Sequence, residues 1–166
     1  MDAGRLVANP FSRVPKANER TDPRRQRRAM TEAELERLLD AAMRRPIESA
    51  MYSNRGTKPA ALREEVQQGL LFAGVERALT YKTLVLTGLR LGELRSLRVS
   101  QLELDTPRPC IHLRACDEKN RQGAVLPLRG DLVADLREWL NWTLRRFQEA
   151  ARRAGDPIPF RLPSDT

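Results

Sequence analysis

The sequence of 166 residues predicts a mainly α-helical fold with a small three-stranded antiparallel β-sheet, an α+β arrangement. Apolar residues recur at helical spacing in the segments 31–45 and 131–152, which indicates helices with a buried side. The segment 75–87 is apolar or uncharged almost without a break, which indicates a buried helix. Between residues 99 and 128 apolar and polar residues alternate instead, as they do in half-buried strands. Because a chain of this length can enclose one sizeable core, we expect one principal domain over residues 31–156.

Residues 1–30 predict an extended basic arm. They contain eight Lys or Arg residues and three Asp or Glu residues, so this arm carries a net charge of +5 out of +8 for the whole chain. Three prolines and the lack of apolar periodicity disfavour a packed element. The positive charge favours a polyanionic partner, and nucleic acid is favoured over an acidic membrane because no apolar anchor is present. A solvated basic linker without a partner is the alternative. The candidate contact residues of the arm are Arg24, Arg25, Arg27 and Arg28.

The next part of the chain predicts helices separated by a loop. Thr31 and Glu34 have the spacing of a capping box, which favours a helix that begins there. Pro46 is expected to end this helix, because proline lacks the N–H group that the helix needs. The predicted segments are helix 31–45, loop 46–58, a helical stretch 60–68 and a buried helix 75–87.

The segment 87–97, Thr-Gly-Leu-Arg-Leu-Gly-Glu-Leu-Arg-Ser-Leu, places charges in a largely apolar stretch. Gly88 lets the backbone turn after the buried helix, and a short helix is expected over 91–97. Arg90 and Glu93 are three residues apart, so the guanidinium and the carboxylate share one helical face. One interpretation is a local ion pair that closes a helix and is worth about 0.2–0.5 kcal/mol. The other is a functional site.

The remaining segments predict a meander followed by a long helix. The predicted strands are 99–104, 110–113 and 124–128, and the polar segment 117–123 is the turn between the last two. Asp131 is expected to cap the long helix, and Gly155 to end it. Trp139 lies in the apolar stripe of this helix, which favours packing in the core over stacking on bases. Residues 157–166 are expected to form an extended tail.

The cysteines and the single histidine argue against a metal site. Cys110 and Cys116 are the only cysteines, no CxxC motif is present, and His112 is expected to be an outward-facing strand residue. The sequence contains neither a signal peptide nor an apolar run of about 20 residues. We therefore expect a cytoplasmic location with reduced thiols and no membrane partner.

The order of these parts resembles the tyrosine recombinase (phage integrase) family over about residues 9–163. The shared pattern is a helix, then Thr-Gly-Leu-Arg-x-Gly-Glu-Leu, then a strand with Asp. A hairpin containing Lys follows, before a Val-Leu-Pro-Leu strand. Arg90 falls where the family has its first catalytic arginine, and Glu93 where it has the supporting acidic residue. Lys119, eight positions before Pro127, falls where the family has the hairpin lysine.

The resemblance implies a chemistry that needs these residue types. In this family a tyrosine attacks a phosphodiester of double-stranded DNA without a metal or nucleotide cofactor, forms a 3′-phosphotyrosine and releases a 5′-hydroxyl. Arg90 would hold two phosphate oxygens in a bidentate contact, and Glu93 would position it. Lys119 would act as the general acid, while Arg121 in the same hairpin would contact DNA. Without the resemblance, Lys119 would be interpreted as a solvated turn residue.

The sequence departs from the family pattern because the His-x-x-Arg box, the later His or Trp and the nucleophilic Tyr are absent. Tyr52 and Tyr81 both precede the motif. The resemblance therefore implies a partial tyrosine-recombinase catalytic domain, its N-terminal half, which binds DNA and cannot cleave it alone. Other recombinase subunits are a further candidate partner, and no small-molecule substrate is expected. The alternatives are a non-catalytic DNA-binding or regulatory remnant and a helical protein-interaction module.

Overall fold

The computed structural model describes residue 14 and residues 28–52, 61–118 and 121–163. The chain divides into two units, Met1–Thr31 and Glu32–Thr166. Of the predicted contact residues in the basic arm, Arg24, Arg25 and Arg27 lie outside the described residues, as does Lys119. In the first unit Arg28 is exposed, and its Nη1 donates to the carbonyl of Ala29 at 3.2 Å.

Helix α1 covers Glu32–Met51 and is longer than predicted. Pro46 lies inside it and is buried, so the prediction that this proline ends the helix is wrong. A proline within a helix costs about 3 kcal/mol, which other interactions must outweigh. Ala42, one turn earlier, is also buried, and α1 packs mainly on the second helix, α2 (Glu64–Thr87). Packing of this face on α2 explains why the helix continues past the proline.

Helix α2 is one continuous helix that joins the two predicted helical stretches, 60–68 and 75–87, whose connection the sequence left open. At Gly74 it passes α1 very closely. A β-carbon placed on Gly74 would lie only 3.0 Å from the carbonyl carbon of Met43 and would meet the Met43 carbonyl oxygen more closely still. The glycine therefore permits the close approach of the two helices.

The end of α2 is as the sequence predicted. Gly88 has a left-handed backbone with φ 71°, and its N–H donates to the carbonyl of Leu84 at 3.0 Å. Tyr81 and Val85 are exposed by 37% and 49%. The expectation of a buried helix over 75–87 is therefore correct for one side of α2 and wrong for the other.

The three strands form one antiparallel sheet in the order β1-β2-β3, as predicted. They are β1 (Leu102–Glu103), β2 (Cys110–Leu113) and β3 (Ala124–Pro127). The first strand is shorter than the predicted 99–104, because Val99–Gln101 forms a 3-10 turn. The side chain of buried Gln101 accepts the N–H of Arg98 at 2.9 Å and donates to the carbonyl of His112 at 2.7 Å. These two bonds hold the turn in place against β2.

After the short helix α3 (Leu91–Ser96) and the sheet, helix α4 covers Gly130–Ala154. Asp131 is its second residue and not its cap, so that prediction is wrong. The Asp131 carboxylate instead lies 3.2 Å from Lys82 Nζ on α2 and 3.1 Å from Arg129 Nε. Gly155 ends the helix with φ 76°, as predicted. Residues 157–163 form no helix or strand, and the carbonyl of Pro159 accepts a bond of 3.0 Å from the Gln148 side chain on α4.

Two apolar clusters form the core of the second unit. The first joins α2, α4 and the residue after β1, and its buried members are Leu79, Leu104, Leu132, Val133 and Leu136. The second joins the turn after α2 to the sheet, and its buried members are Leu89, Ile111 and Leu113. Trp139 packs on the first cluster, which confirms its predicted place in the core. Among the helices of the described ranges, none is long and apolar enough to cross a membrane.

Candidate functional site

The 87–97 segment folds into a turn and a short helix, α3 (Leu91–Ser96). The left-handed Gly88 redirects the chain so that Leu89 enters the second apolar cluster with Ile111 and Leu113 of β2. Leu89 is only 6% exposed. The next residue, Arg90, is thereby fixed beside the sheet and at the start of α3.

Arg90 and Glu93 form the ion pair that their spacing predicted. The Arg90 Nη1 lies 2.9 Å from Glu93 Oε1, and the backbone N–H of Arg90 donates to Glu93 Oε2 at 2.9 Å. The second bond satisfies an N–H at the beginning of the helix, as the glutamate does in a capping box. One bond therefore caps the helix through the Arg90 backbone, and the other is an ion pair with the Arg90 guanidinium.

The two partners of this pair differ in exposure. The side chain of Glu93 is 8% exposed, whereas that of Arg90 is 60% exposed. A buried carboxylate that accepts two bonds is held in one orientation, and it orients the guanidinium bonded to it. The permanently charged, planar group of Arg90 is thus held at the surface, where an anion can reach it.

The hairpin residues of the predicted site are only partly described. Lys119 lies outside the described residues, so its place beside Arg90 stays a prediction. Arg121 is exposed and has a left-handed backbone with φ 54°, and its N–H donates to the carbonyl of Glu118 at 3.1 Å. The hairpin begins after Leu113, which belongs to the same apolar cluster as Leu89. The described residues therefore place the Arg90 segment and the β2 end of the hairpin on one core.

The β2 side of this hairpin contains a further ion pair. Arg114 Nε lies 2.7 Å from Asp117 Oδ2. The hydrogen bond from Arg114 lowers the pKa of Asp117 below its usual 3.8. The first turn after β2 is thus held by a charge-assisted bond.

The structure also brings together Glu103, Cys110 and His112, a group that the sequence patterns did not predict. Their ligand atoms all lie within 4.8 Å of one another on strands β1 and β2. Burial, together with the nearby Glu103 carboxylate, raises the pKa of the Cys110 thiol. Cys110 and His112 are two residues apart in a predicted strand, which places them on one face. The missing information was the register that pairs Glu103 with Cys110.

No family model, curated protein or solved structure matches this chain. The comparisons therefore neither support nor oppose the resemblance to tyrosine recombinases that the sequence motif suggests.

Proposed function

We propose that this chain is a DNA-binding part of a site-specific tyrosine recombinase, in which Arg90 binds a backbone phosphate of double-stranded DNA. The observation that supports this most is the difference in exposure between the two members of its ion pair. The buried Glu93 carboxylate holds the Arg90 side chain, yet leaves 60% of that side chain exposed.

The backbone half of the Arg90–Glu93 pair does not need an arginine. Glu93 Oε2 accepts the Arg90 main-chain N–H, and any residue other than proline supplies that group. The guanidinium is therefore not required for the cap. A planar guanidinium with further N–H groups toward solvent is suited to a bidentate contact with phosphate, which a lysine does not make. A DNA contact is therefore favoured over a purely local ion pair.

In the proposed role, the remaining family chemistry involves Lys119 as the general acid at the leaving oxygen and Arg121 as a further DNA contact. The basic arm, including Arg28, adds attraction that does not depend on DNA sequence. Other recombinase subunits are proposed as further partners. A cytoplasmic location, where DNA and reduced thiols occur together, fits this role.

We propose further that these 166 residues do not cleave DNA. The family's nucleophilic tyrosine follows the motif, whereas both tyrosines of this chain precede it. Tyr81 lies within α2, six residues or about 9 Å along the helix axis before the last residue of that helix. Tyr52 follows the last residue of α1. A suicide DNA substrate incubated with the chain should yield no covalent protein–DNA adduct on a denaturing gel. An adduct that disappears in a Tyr52→Phe or Tyr81→Phe variant would overturn this proposal.

The DNA contact of Arg90 is tested by fluorescence anisotropy with a labelled duplex over a series of salt concentrations. Arg90→Ala should weaken binding equally for unrelated DNA sequences and reduce the slope of log K against log salt by about 1. Arg90→Lys keeps the charge but not the bidentate geometry, so we expect its affinity to lie between those of the wild-type chain and Arg90→Ala.

Arg153→Ala is the matched control for charge, because Arg153 is exposed in the last turn of α4. It removes one positive charge, as Arg90→Ala does. If both variants bind DNA equally well while only Arg90→Ala loses stability, the ion pair is structural and the proposed contact is wrong.

A further inference from the structure

From the geometry of strands β1 and β2, we infer that Glu103, Cys110 and His112 form a binding site for a transition-metal ion of the zinc class. The site is separate from the Arg90 pair and does not depend on the proposed DNA binding.

Three chemically different ligand atoms converge at this place. His112 Nε2 lies 3.1 Å from Glu103 Oε1 and 3.4 Å from Cys110 Sγ. Cys110 Sγ lies 3.8 Å from Glu103 Oε2. A single imidazole nitrogen therefore faces both other groups. Without an ion, Nε2 can donate to Glu103 Oε1 while the Cys110 thiol donates to Glu103 Oε2. Loss of these two protons leaves a lone pair on Nε2 and a thiolate, both of which are metal ligands. An ion between the three groups would bind the lone pair of Nε2 and both of the other ligands.

Two of the separations fit tetrahedral coordination. Zinc bonds of about 2.3 Å to sulfur and about 2.0–2.2 Å to nitrogen and oxygen imply ligand-to-ligand distances of about 3.3–3.6 Å in a tetrahedron. The distances from His112 Nε2 to Glu103 Oε1, 3.1 Å, and to Cys110 Sγ, 3.4 Å, lie within a few tenths of an ångström of this range. The distance of 3.8 Å joins Cys110 Sγ to the other Glu103 oxygen, Oε2, and one ligand atom from each residue lies within 4.8 Å of the others. Sulfur and imidazole ligands favour zinc and its neighbours over magnesium or calcium, which prefer oxygen.

The charges and the exposure of these three residues also fit a bound divalent ion. A thiolate and a carboxylate together carry two negative charges, which balance a divalent ion bound with a neutral imidazole. Cys110 is 8% exposed, whereas the side chains of His112 and Glu103 are 44% and 51% exposed. Three protein ligands with an accessible side leave a fourth position for water. The sheet register that pairs Glu103 with Cys110, and the bond of 2.7 Å from Gln101 to the His112 carbonyl, hold the ligand-bearing strands in place.

Metal binding replaces the thiol proton of Cys110, which is released to solvent as the metal–sulfur bond forms. Because the bound metal takes the place of this proton, the affinity should rise with pH.

Cobalt(II) titration of the full chain, free of any polyhistidine tag, tests the site. We expect one equivalent to bind with a sulfur-to-cobalt charge-transfer band in the near ultraviolet and intense visible bands of four-coordinate cobalt. Addition of zinc should remove both sets of bands. Absence of the charge-transfer band in the wild-type chain would overturn the inference.

Four variants assign the ligands. His112→Asn, Glu103→Gln and Cys110→Ser should each weaken cobalt binding at least tenfold, while Cys116→Ser is the control and should leave it unchanged, because Cys116 is an exposed cysteine outside the cluster. Cys110 is buried, so its variant could misfold. The His112 and Glu103 side chains are about half exposed, so their variants should fold and test the metal site even if Cys110→Ser misfolds. Unchanged binding in either, or disappearance of the charge-transfer band in Cys116→Ser, would show that the metal binds elsewhere.

Discussion

The carboxylate of Glu93 binds two different groups of Arg90. One oxygen accepts the Arg90 backbone N–H and the other binds the guanidinium. The i, i+3 spacing was enough to predict the pair, because it follows from helix geometry alone. The burial of Glu93 was not predictable, since it depends on how the turn at Gly88 docks the segment on the sheet.

Substitution of Glu93 should separate its two bonds. Glu93→Ala removes both acceptors and leaves a helix N–H without its side-chain partner, so we expect a loss of about 1–3 kcal/mol in the free energy of unfolding. Glu93→Gln keeps one amide oxygen as an acceptor and should lose less. Urea unfolding followed by circular dichroism gives both values. Glu149→Ala, at an exposed position on α4, is the control and should change stability by less than about 0.5 kcal/mol. Equal stability of the Glu93→Ala and Glu149→Ala variants would contradict the structural role.

The grouping of Glu103, Cys110 and His112 was also not predictable from the sequence. Cys110 and His112 were visible as a Cys-x-His pair in a predicted strand, but their third member comes from a neighbouring strand only two residues long. A pairing register cannot be derived for so short a strand from alternation alone.

At the scale of elements, local signals predicted the helix ends formed by glycine but not those decided by packing. Gly88 and Gly155 end their helices because the left-handed backbone is accessible to glycine without strain. Pro46 carried an equally clear local signal, and packing of α1 on α2 overrode it. The strand predicted over 99–104 is shortened to Leu102–Glu103 for a similar reason, because Gln101 bonds to β2 through its side chain and favours a turn.

Two glycines of α2 offer a matched test of the helix–helix packing. Gly74→Ala would place a β-carbon against the Met43 backbone, so the helices must separate, and we expect a loss of about 1–3 kcal/mol in stability. Gly69→Ala meets no atom within 4 Å and should stabilise the helix by up to about 1 kcal/mol. Thermal unfolding of the two variants should shift in opposite directions. A similar shift for both would mean that α1 does not pack at Gly74 as described.

The bridge between α2 and α4 predicts a dependence of stability on pH. Lys82 Nζ lies 2.5 Å from Asp135 Oδ2 and 3.2 Å from Asp131 Oδ2. Burial alone would lower the pKa of Lys82, but the bonds to these two carboxylates raise it above 10.5. Since the folded pKa is the higher one, the stabilisation is complete below about pH 10.5 and is lost as the pH rises through the folded value. Burial alone would raise the pKa of Asp131, but Lys82 lowers it below 3.8, so that contribution is lost as the pH falls through its folded value.

Urea unfolding at neutral pH and above pH 10.5 measures this bridge. The wild-type chain should lose more stability across that interval than Lys82→Met, which has no ammonium group to deprotonate. The difference between the two chains removes the contribution of other titrating groups. Identical losses would show that Lys82 does not bridge the two helices in solution.

At the scale of the whole molecule, the charge is unevenly divided between the two units. Residues 1–30 carry +5 of the total +8. Composition predicted a basic arm before the helices, and it could do so because net charge does not depend on how the chain folds. The folded part carries the remaining +3, so the DNA contact proposed for it depends on individual residues such as Arg90.

Removal of residues 1–30 should separate electrostatic attraction from folding. We expect the remaining chain to keep its thermal midpoint within a few degrees, because the core clusters lie in the second unit. Its affinity for duplex DNA should fall, and the slope of log K against log salt should decrease by about 0.9 for every phosphate that the arm neutralises. Anisotropy titrations beside the full chain measure both effects. An unchanged slope would show that the arm is a linker that does not bind DNA.

The position of the two tryptophans has a spectroscopic consequence. Both lie on α4, where Trp139 packs on the first apolar cluster and Trp142 meets the ring of Phe72 edge-on at 5.0 Å between centroids. Intrinsic tryptophan emission therefore reports on the packing around α4, which includes α2 and the end of β1. Far-ultraviolet circular dichroism reports on all helices. Coincidence of the two unfolding curves would show that the helix packing and the rest of the fold unfold as one cooperative unit.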